Sequence, residues 1–253
     1  MKWLRALPVL LLAVTLVRAQ DSSKTETVVE AILKEGKENS KVMEHLDHLT
    51  NKIGPRLTGS DRLTQACEWA RDQFKSFGLE NAKLEQWGTI AVGFNRGPWS
   101  GEMTAPEQKK LTCGTMAWMP GTNGPVEGSA VAADGKADLK GAWVLVPSRA
   151  SEDVLKKIDE AGAAGIIRSS RGELIVTDGN HRTKWDRIPK RVTVYLIASQ
   201  FKEVSDLVAA GKEVRLKIDI KNEFKEGPIP QYNVIAEIPG TEKPDEVVIV
   251  GGH

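Results

Sequence analysis

Apolar positions in the first third of the chain recur at helical spacing. Val28, Val29, Ile32 and Leu33 share one face, and Gly36 interrupts it. Val42, Met43, Leu46 and Leu49 share another, with Asn39 or Ser40 available as N-cap. A loop, Ile53-Gly54-Pro55-Arg56-Leu57-Thr58-Gly59-Ser60, separates these from the clearest helix. Ser60 can cap that helix. Leu63, Ala66, Cys67, Ala70, Phe74 and Phe77 line its apolar face, and Gly78 supplies the stop.

From residue 82 the pattern becomes extended. Leu84, Trp87, Ile90, Val92 and Phe94 suggest strand, with Gly97-Pro98 as a turn. The Gly- and Pro-rich stretch Gly114 to Gly128 marks a border. Beyond it strands and helices alternate. Gly141 to Val146 reads as a buried strand, and Ser151 caps a helix carrying Val154, Leu155, Ile158 and Ala161. Ala163 to Ile167 and Arg191 to Ile197 read as strands. Ser199 caps a helix carrying Phe201, Val204, Leu207 and Val208. Val214, Leu216, Ile218 and Ile220 then alternate with charged residues, as a half-buried strand does. This block is an α/β module of about 100 residues. After Gly227-Pro228-Ile229-Pro230, two more strands are expected at Asn233–Ile238 and Glu246–Val250. The second is apolar and β-branched, like a central strand, and runs into Gly251-Gly252-His253.

The N-terminus has a different character. Lys2 and Arg5 precede a 12-residue apolar run, Ala6 to Val17, and Val17-Arg18-Ala19 offers a cleavage site. The run is shorter than the roughly 20 residues a membrane-spanning helix needs. Residues 1–19 therefore read as a signal peptide cleaved after Ala19, which implies a secreted or periplasmic protein with no stable membrane anchor. Its removal takes Lys2, Arg5 and Arg18, leaving 32 basic against 34 acidic residues. With 40% apolar and 27% charged residues the composition is globular. That balance gives nucleic-acid binding no support, and it leaves oligomeric state open, a homodimer included.

Chemistry-bearing residues are sparse. Export permits disulfides, but Cys67 and Cys113 are the only cysteines. Cys67, on the apolar face of a helix, reads as a buried free thiol in preference to a bridge. No Cys-x-x-Cys, HExxH, G-x-S-x-G or P-loop occurs. His45 and His48 lie three apart around Asp47 but lack a third ligand, so they read as a solvated helix surface. His181, between Asp178 and Asp186, reads as a loop histidine. His253 follows an apolar strand and two glycines, where open α/β sheets bind ligands. From position alone, a zinc ligand and a frayed terminal residue are equally good readings of it.

Two stretches resemble a known family. Asn233-Val234-Ile235-Ala236-Glu237-Ile238-Pro239-Gly240, followed by Pro244 to His253, is similar to the start of the catalytic domain of zinc-dependent M28-type exopeptidases. There, N-V-[IV]-A-x-[IL]-x-G, a turn, an apolar strand and a metal-ligand histidine follow one another. Ile53 to Ser60 resembles the same family's N-terminal segment. The block between resembles the protease-associated domain that the family carries as an insertion. The resemblance covers residues 40–253.

The resemblance implies an α/β fold: an incomplete zinc-exopeptidase sheet domain with an inserted protease-associated α/β domain. Residues 20–113 would begin the peptidase domain, 114–226 would be the insertion, and 227–253 would return into the peptidase sheet. It further implies hydrolysis of dipeptides or short peptides by a metal-bound hydroxide on two zinc ions, with a glutamate as general base. Only the family's first histidine ligand maps here, onto His253. The remaining carboxylates and the final histidine would follow residue 253, and no catalytic residue maps. Residues 1–253 are therefore expected to be inactive by themselves. The alternative is a non-catalytic module that binds peptide or protein through the protease-associated block; a third reading is a structural fragment with no function of its own.

Export supplies the first test. N-terminal sequencing of the exported protein should begin at or beside Gln20, and recovery of intact Met1 in a soluble, unexported pool would contradict the signal.

Overall fold

The computed structural model describes residues 27–146 and 150–252, in two compact units that divide after Gly54. The signal segment 1–19 and His253 lie outside the described residues.

In the first unit, helix α1 (residues 27–38) runs straight through Gly36, where a Cβ would meet nothing within 4 Å. Its expected apolar face is exposed: Ile32 is 66% and Val28 54% accessible. Helix α2 (Val42–Asp47) passes without a break into a π-helical turn, His48–Ile53, which stops at Gly54 with φ +87°. The expected capping is weak. Lys41 occupies the N-cap position with no side-chain capping bond, and Ser40 Oγ accepts only a long bond, 3.5 Å, from the Val42 N–H.

In the second unit, helix α3 (Asp61–Ser76) begins as its sequence predicts: Ser60 Oγ accepts the Leu63 N–H at 3.1 Å. It stops at Gly78, whose φ of +80° favours glycine. Phe77 falls past the last turn and is exposed rather than buried with the face above it.

Strand β1 (Glu80–Ala105) and strand β8 (Arg215–Glu237) form an antiparallel ribbon that pairs from Glu80 with Glu237 to Ala105 with Arg215. Two sequence expectations change here. Gly97-Pro98 is not a turn: it lies inside β1, in the register break between Arg96 and Trp99. A Cβ on Gly97 would stand 2.1 Å from the Lys221 carbonyl, so glycine lets the strands close over the bulge. Gly227-Pro228 likewise lies inside β8, opposite the break between Ile90 and Val92, and β8 continues through it. Proline is tolerated in a paired strand at such bulges because no ladder N–H is required there.

Between these two strands lie β2 (Lys109–Leu111), β3 (Cys113–Gly114), β4 (Val126–Ala132), β5 (Trp143–Leu145), helix α4 (Glu152–Glu160), β6 (Gly165–Ser169), β7 (Thr193–Leu196) and helix α5 (Ala198–Ala209). All eight strands form one mixed sheet, in the order β2-β1-β8-β4-β5-β6-β7-β3. Strands β4 to β7 are parallel neighbours, and the outer pairings are antiparallel.

Alternation along β5 and β6 assigns each face its helix. Trp143, Leu145 and Ile167 join Phe201, Val204 and Leu207 of α5 in one core. Val144, Val146 and Ile166 join Leu155 and Ile158 of α4 in another. Val214, Leu216, Ile218 and Ile220 are all buried, as their alternation predicts. Ser151 caps α4 as expected, with Oγ accepting the Val154 N–H. Ser199 does not cap α5. The carboxylate of Glu173, from the β6–β7 loop, accepts both its N–H (3.0 Å) and its hydroxyl (2.6 Å).

The expected return into the peptidase sheet stops with β8. Residues 246–250 form no strand, and Val247 to Val250 are 79–92% exposed. A β-branched run becomes a strand only against neighbours that satisfy its backbone, and among the described residues none lies beside it. A matched pair of variants separates the two apolar runs. Ile218→Ala should cost about 2–5 kcal/mol by leaving a core cavity. Ile249→Ala should stay within about 0.5 kcal/mol, as exposed substitutions do. Urea midpoints of the two variants measure the difference.

Candidate functional site

No metal site can be built from the described residues. No group of three or more His, Cys, Asp or Glu side chains among them is placed to hold an ion. His45 and His48 sit at the junction of α2 and the π-helical turn, both half-buried. His181 is exposed, edge-on to Trp118 with ring centroids 6.4 Å apart. Residues 246–252, which lead to His253, are exposed and form no strand.

Both cysteines are free, as the sequence suggested. Burial raises the Cys67 thiol and pushes that of Cys113 up to about 11. Both are protonated at neutral pH, which removes them as nucleophiles.

The segment Pro55–Ser60, part of the family-like motif, has a clear local role. It docks α3 on the β1–β8 ribbon. The Ser60 N–H donates to the Leu57 carbonyl at 2.9 Å, closing a turn that places Gly59 at φ +71°. A Cβ on Gly59 would stand 2.2 Å from Ile90 Cδ1, and one on Gly93 would stand 2.8 Å from the Gly59 carbonyl. The two glycines let the turn and the strand touch backbone to backbone. Beside them Gln231, 3% exposed, donates to the carbonyls of Ile229 and Pro230.

A polar clamp completes this contact. The Asp61 N–H donates to Asn95 Oδ1 (2.9 Å), Asn95 Nδ2 donates to Asp61 Oδ2 (2.9 Å), and Lys225 Nζ donates to Asp61 Oδ1 (3.0 Å). Lys225, then Asn95, holds the Asp61 carboxyl below its ordinary value. The three residues are scattered through the sequence, and only strand register brings Asn95 and Lys225 to the start of α3.

Between Gly93 and Asn95, Phe94 stacks on Trp118 at 5.6 Å and contacts Phe224. Trp118, at φ +57°, donates its indole N–H to the Val92 carbonyl at 3.1 Å. Next to this cluster the Arg96 guanidinium lies 4.8 Å from the centroid of Trp99. Sequence patterning flagged neither residue. Two grooves open on the same unit. One of about 520 Å³ is lined by Trp99, Glu102, Lys110, Lys217 and Asp219. Another of about 680 Å³ lies between β4 and α5, floored by Ala130, Leu145, Phe201 and Val208. Neither groove contains a histidine.

The docking turn can be tested directly. Gly59→Ala should destabilise the protein by more than about 1 kcal/mol, because φ is positive and Ile90 occupies the space. Ala70→Gly, on the same helix α3, should cost only its helix-propensity difference, about 1 kcal/mol at most. Thermal unfolding midpoints of the two variants check the ordering.

No family model matches the chain. Carboxypeptidase Q of Rattus norvegicus is 28% identical over 259 residues, covering 92% of this chain and 54% of that protein. Carboxypeptidase Q of Bos taurus is 27% identical, covering 86% of this chain and 50% of that protein. The chain thus spans about half the length of the curated relatives it matches. Among solved structures, a peptidase M28 precursor from Shewanella amazonensis superposes with a TM-score of 0.55 at 19% identity, covering 89% of this chain and 56% of that one. By sequence the chain is a relative of carboxypeptidase Q, and by fold it stands with a peptidase of the M28 type.

Proposed function

We propose that this chain is the N-terminal part of an exported zinc-dependent exopeptidase that hydrolyses dipeptides or short peptides. The observation that carries this reading is its relationship to carboxypeptidase Q over about nine-tenths of its length, joined to an M28 peptidase fold. Residues 114–226 are the inserted protease-associated module, and residues 227–253 lead into the catalytic sheet. The exposed run Val247–Val250 supports this, since it is an apolar strand sequence whose neighbours are not among the described residues.

The described residues do not form a zinc site, so no step of the hydrolysis is assigned to them. In this reading His253 supplies one ligand to a zinc ion that would polarise the scissile amide. The chain's own contribution in this reading is scaffold: the docked turn Pro55–Ser60 and the β1–β8 ribbon carry the inserted module. Carboxypeptidases act on short peptides with a free carboxylate, which makes such peptides the substrates to assay first.

Dipeptide hydrolysis with added zinc is the test. Purified residues 20–253 should show no turnover and weak zinc binding, since a catalytic zinc needs about three protein ligands. His253→Ala should change neither. A longer product of the same gene should show chelator-sensitive turnover, and His253→Ala should abolish most of it. Robust chelator-sensitive turnover by residues 20–253 would overturn the assignment of the ligands.

A further inference from the structure

Arg96 is half-buried on β1, and burial lowers its pKa from the ordinary value. A desolvated cation normally has a carboxylate beside it. Arg96 has none: it takes part in no ion pair among the described residues. Its one hydrogen bond runs from Nη2 to the Thr177 carbonyl at 3.2 Å. Nε is fully buried with no partner, an orphan donor of a kind that is rare in folded proteins. Among the described residues, a single one of the five N–H donors of the guanidinium finds an acceptor.

The guanidinium is nevertheless held firmly in place. It stacks on Trp99 at 4.8 Å. The Trp99 indole N–H donates to Asn222 Oδ1, and Asn222 Nδ2 donates to the Met119 carbonyl. The ring edge packs against Gly114, where a Cβ would stand 2.6 Å from Trp99 Cζ3. The Thr177 carbonyl belongs to the β6–β7 loop, which exposes Leu174 (79%) and Val176 (62%). A fixed, under-used cation is therefore tied to a loop that exposes aliphatic side chains.

We propose that Arg96, on its Trp99 platform, is a binding site for a carboxylate carried next to an apolar group. A planar guanidinium matches a carboxylate in geometry as well as charge, and the Nη edge is the part that can meet one, because Nε is fully buried. The carboxylate is either the free C-terminus of a peptide or an acidic side chain on a protein surface; both present the same group. This site stands independently of the peptidase assignment, since it lies on the ribbon and needs no metal.

The test uses the full chain and amide and side-chain ¹⁵N NMR, following the Trp99 indole and Arg96 Nε signals. Three probes are titrated. N-acetyl-leucine carries a terminal carboxylate, N-acetyl-glutamate α-amide a side-chain carboxylate, and N-acetyl-leucinamide neither. Saturable shifts with one or both carboxylates, absent with the neutral amide and weakened by added salt, are expected. Tighter binding of N-acetyl-leucine identifies a chain terminus as the source, and tighter binding of the glutamate amide an acidic side chain. Arg96→Gln should weaken binding at least about tenfold, with Arg96→Lys in between. Equal shifts with the neutral amide, no saturation with either carboxylate, or unchanged affinity in Arg96→Gln would overturn the proposal. If Arg96→Gln fails to fold, the carboxylate-against-amide comparison on the wild-type chain still decides.

Discussion

The pairing of β1 with β8 is the constraint on which the second unit depends. It joins residues more than 100 positions apart, from Ala105 with Arg215 to Glu80 with Glu237. The segment between those strands leaves and returns at one end of the ribbon, and part of it folds back to pack Trp118 on Val92 and Phe94. Closing so long a loop has an entropic cost that grows only slowly with length, and a ladder of backbone bonds can offset it. The register breaks let two long strands twist without losing their pairing. The sheet then continues from β8 into β4, so the α/β layer is an extension of the ribbon and shares its core through Met103, Leu216 and Ile218.

The same ribbon organises the side chains with functional potential. Near its middle it receives the turn before α3, through the close approach of Gly59 and Gly93 and the Asp61–Asn95–Lys225 clamp. The clamp is exposed on both sides, so its contribution is at most about 1 kcal/mol. It therefore orients α3 more than it stabilises the fold. Farther along, the bulge after Arg96 turns Trp99 so that its ring meets the guanidinium. A regular ladder would hold residues 96 and 99 on opposite faces of the strand.

The relationship to carboxypeptidase Q and the distribution of chemistry along this chain are consistent. Among the described residues, the two thiols are half-buried with raised pKa values, the histidines share no ligand group and neither groove described contains a histidine. The chain covers about half the length of those relatives, and its family-like motifs have local structural roles. Ser60 and Gly59 belong to one motif and are occupied in capping and docking α3. Residues 233–237 belong to the other and are occupied in pairing with β1.

Local signals in the sequence were sufficient for α3, α4 and the alternating strand 214–220. Each is specified by neighbours three, four or two residues away: the Ser60 and Ser151 caps, the stop at Gly78, and the apolar period of Val214 to Ile220. The two family-like motifs were legible too, because they are contiguous. Other features depended on partners distant in sequence, and only the tertiary structure decided them. Gly97-Pro98 looks like a turn and Gly227-Pro228 like a break between strands, yet both lie at bulges because a paired strand lies opposite each. Ser199 looks like a cap, yet Glu173 supplies the acceptor from another loop. Glu246–Val250 looks like a central strand, yet stays exposed because a strand is not a property of its own residues alone. Its backbone N–H and C=O groups must be satisfied from outside the segment. Arg96 gave no signal at all, since what singles it out is the carboxylate that the folded chain does not place beside it.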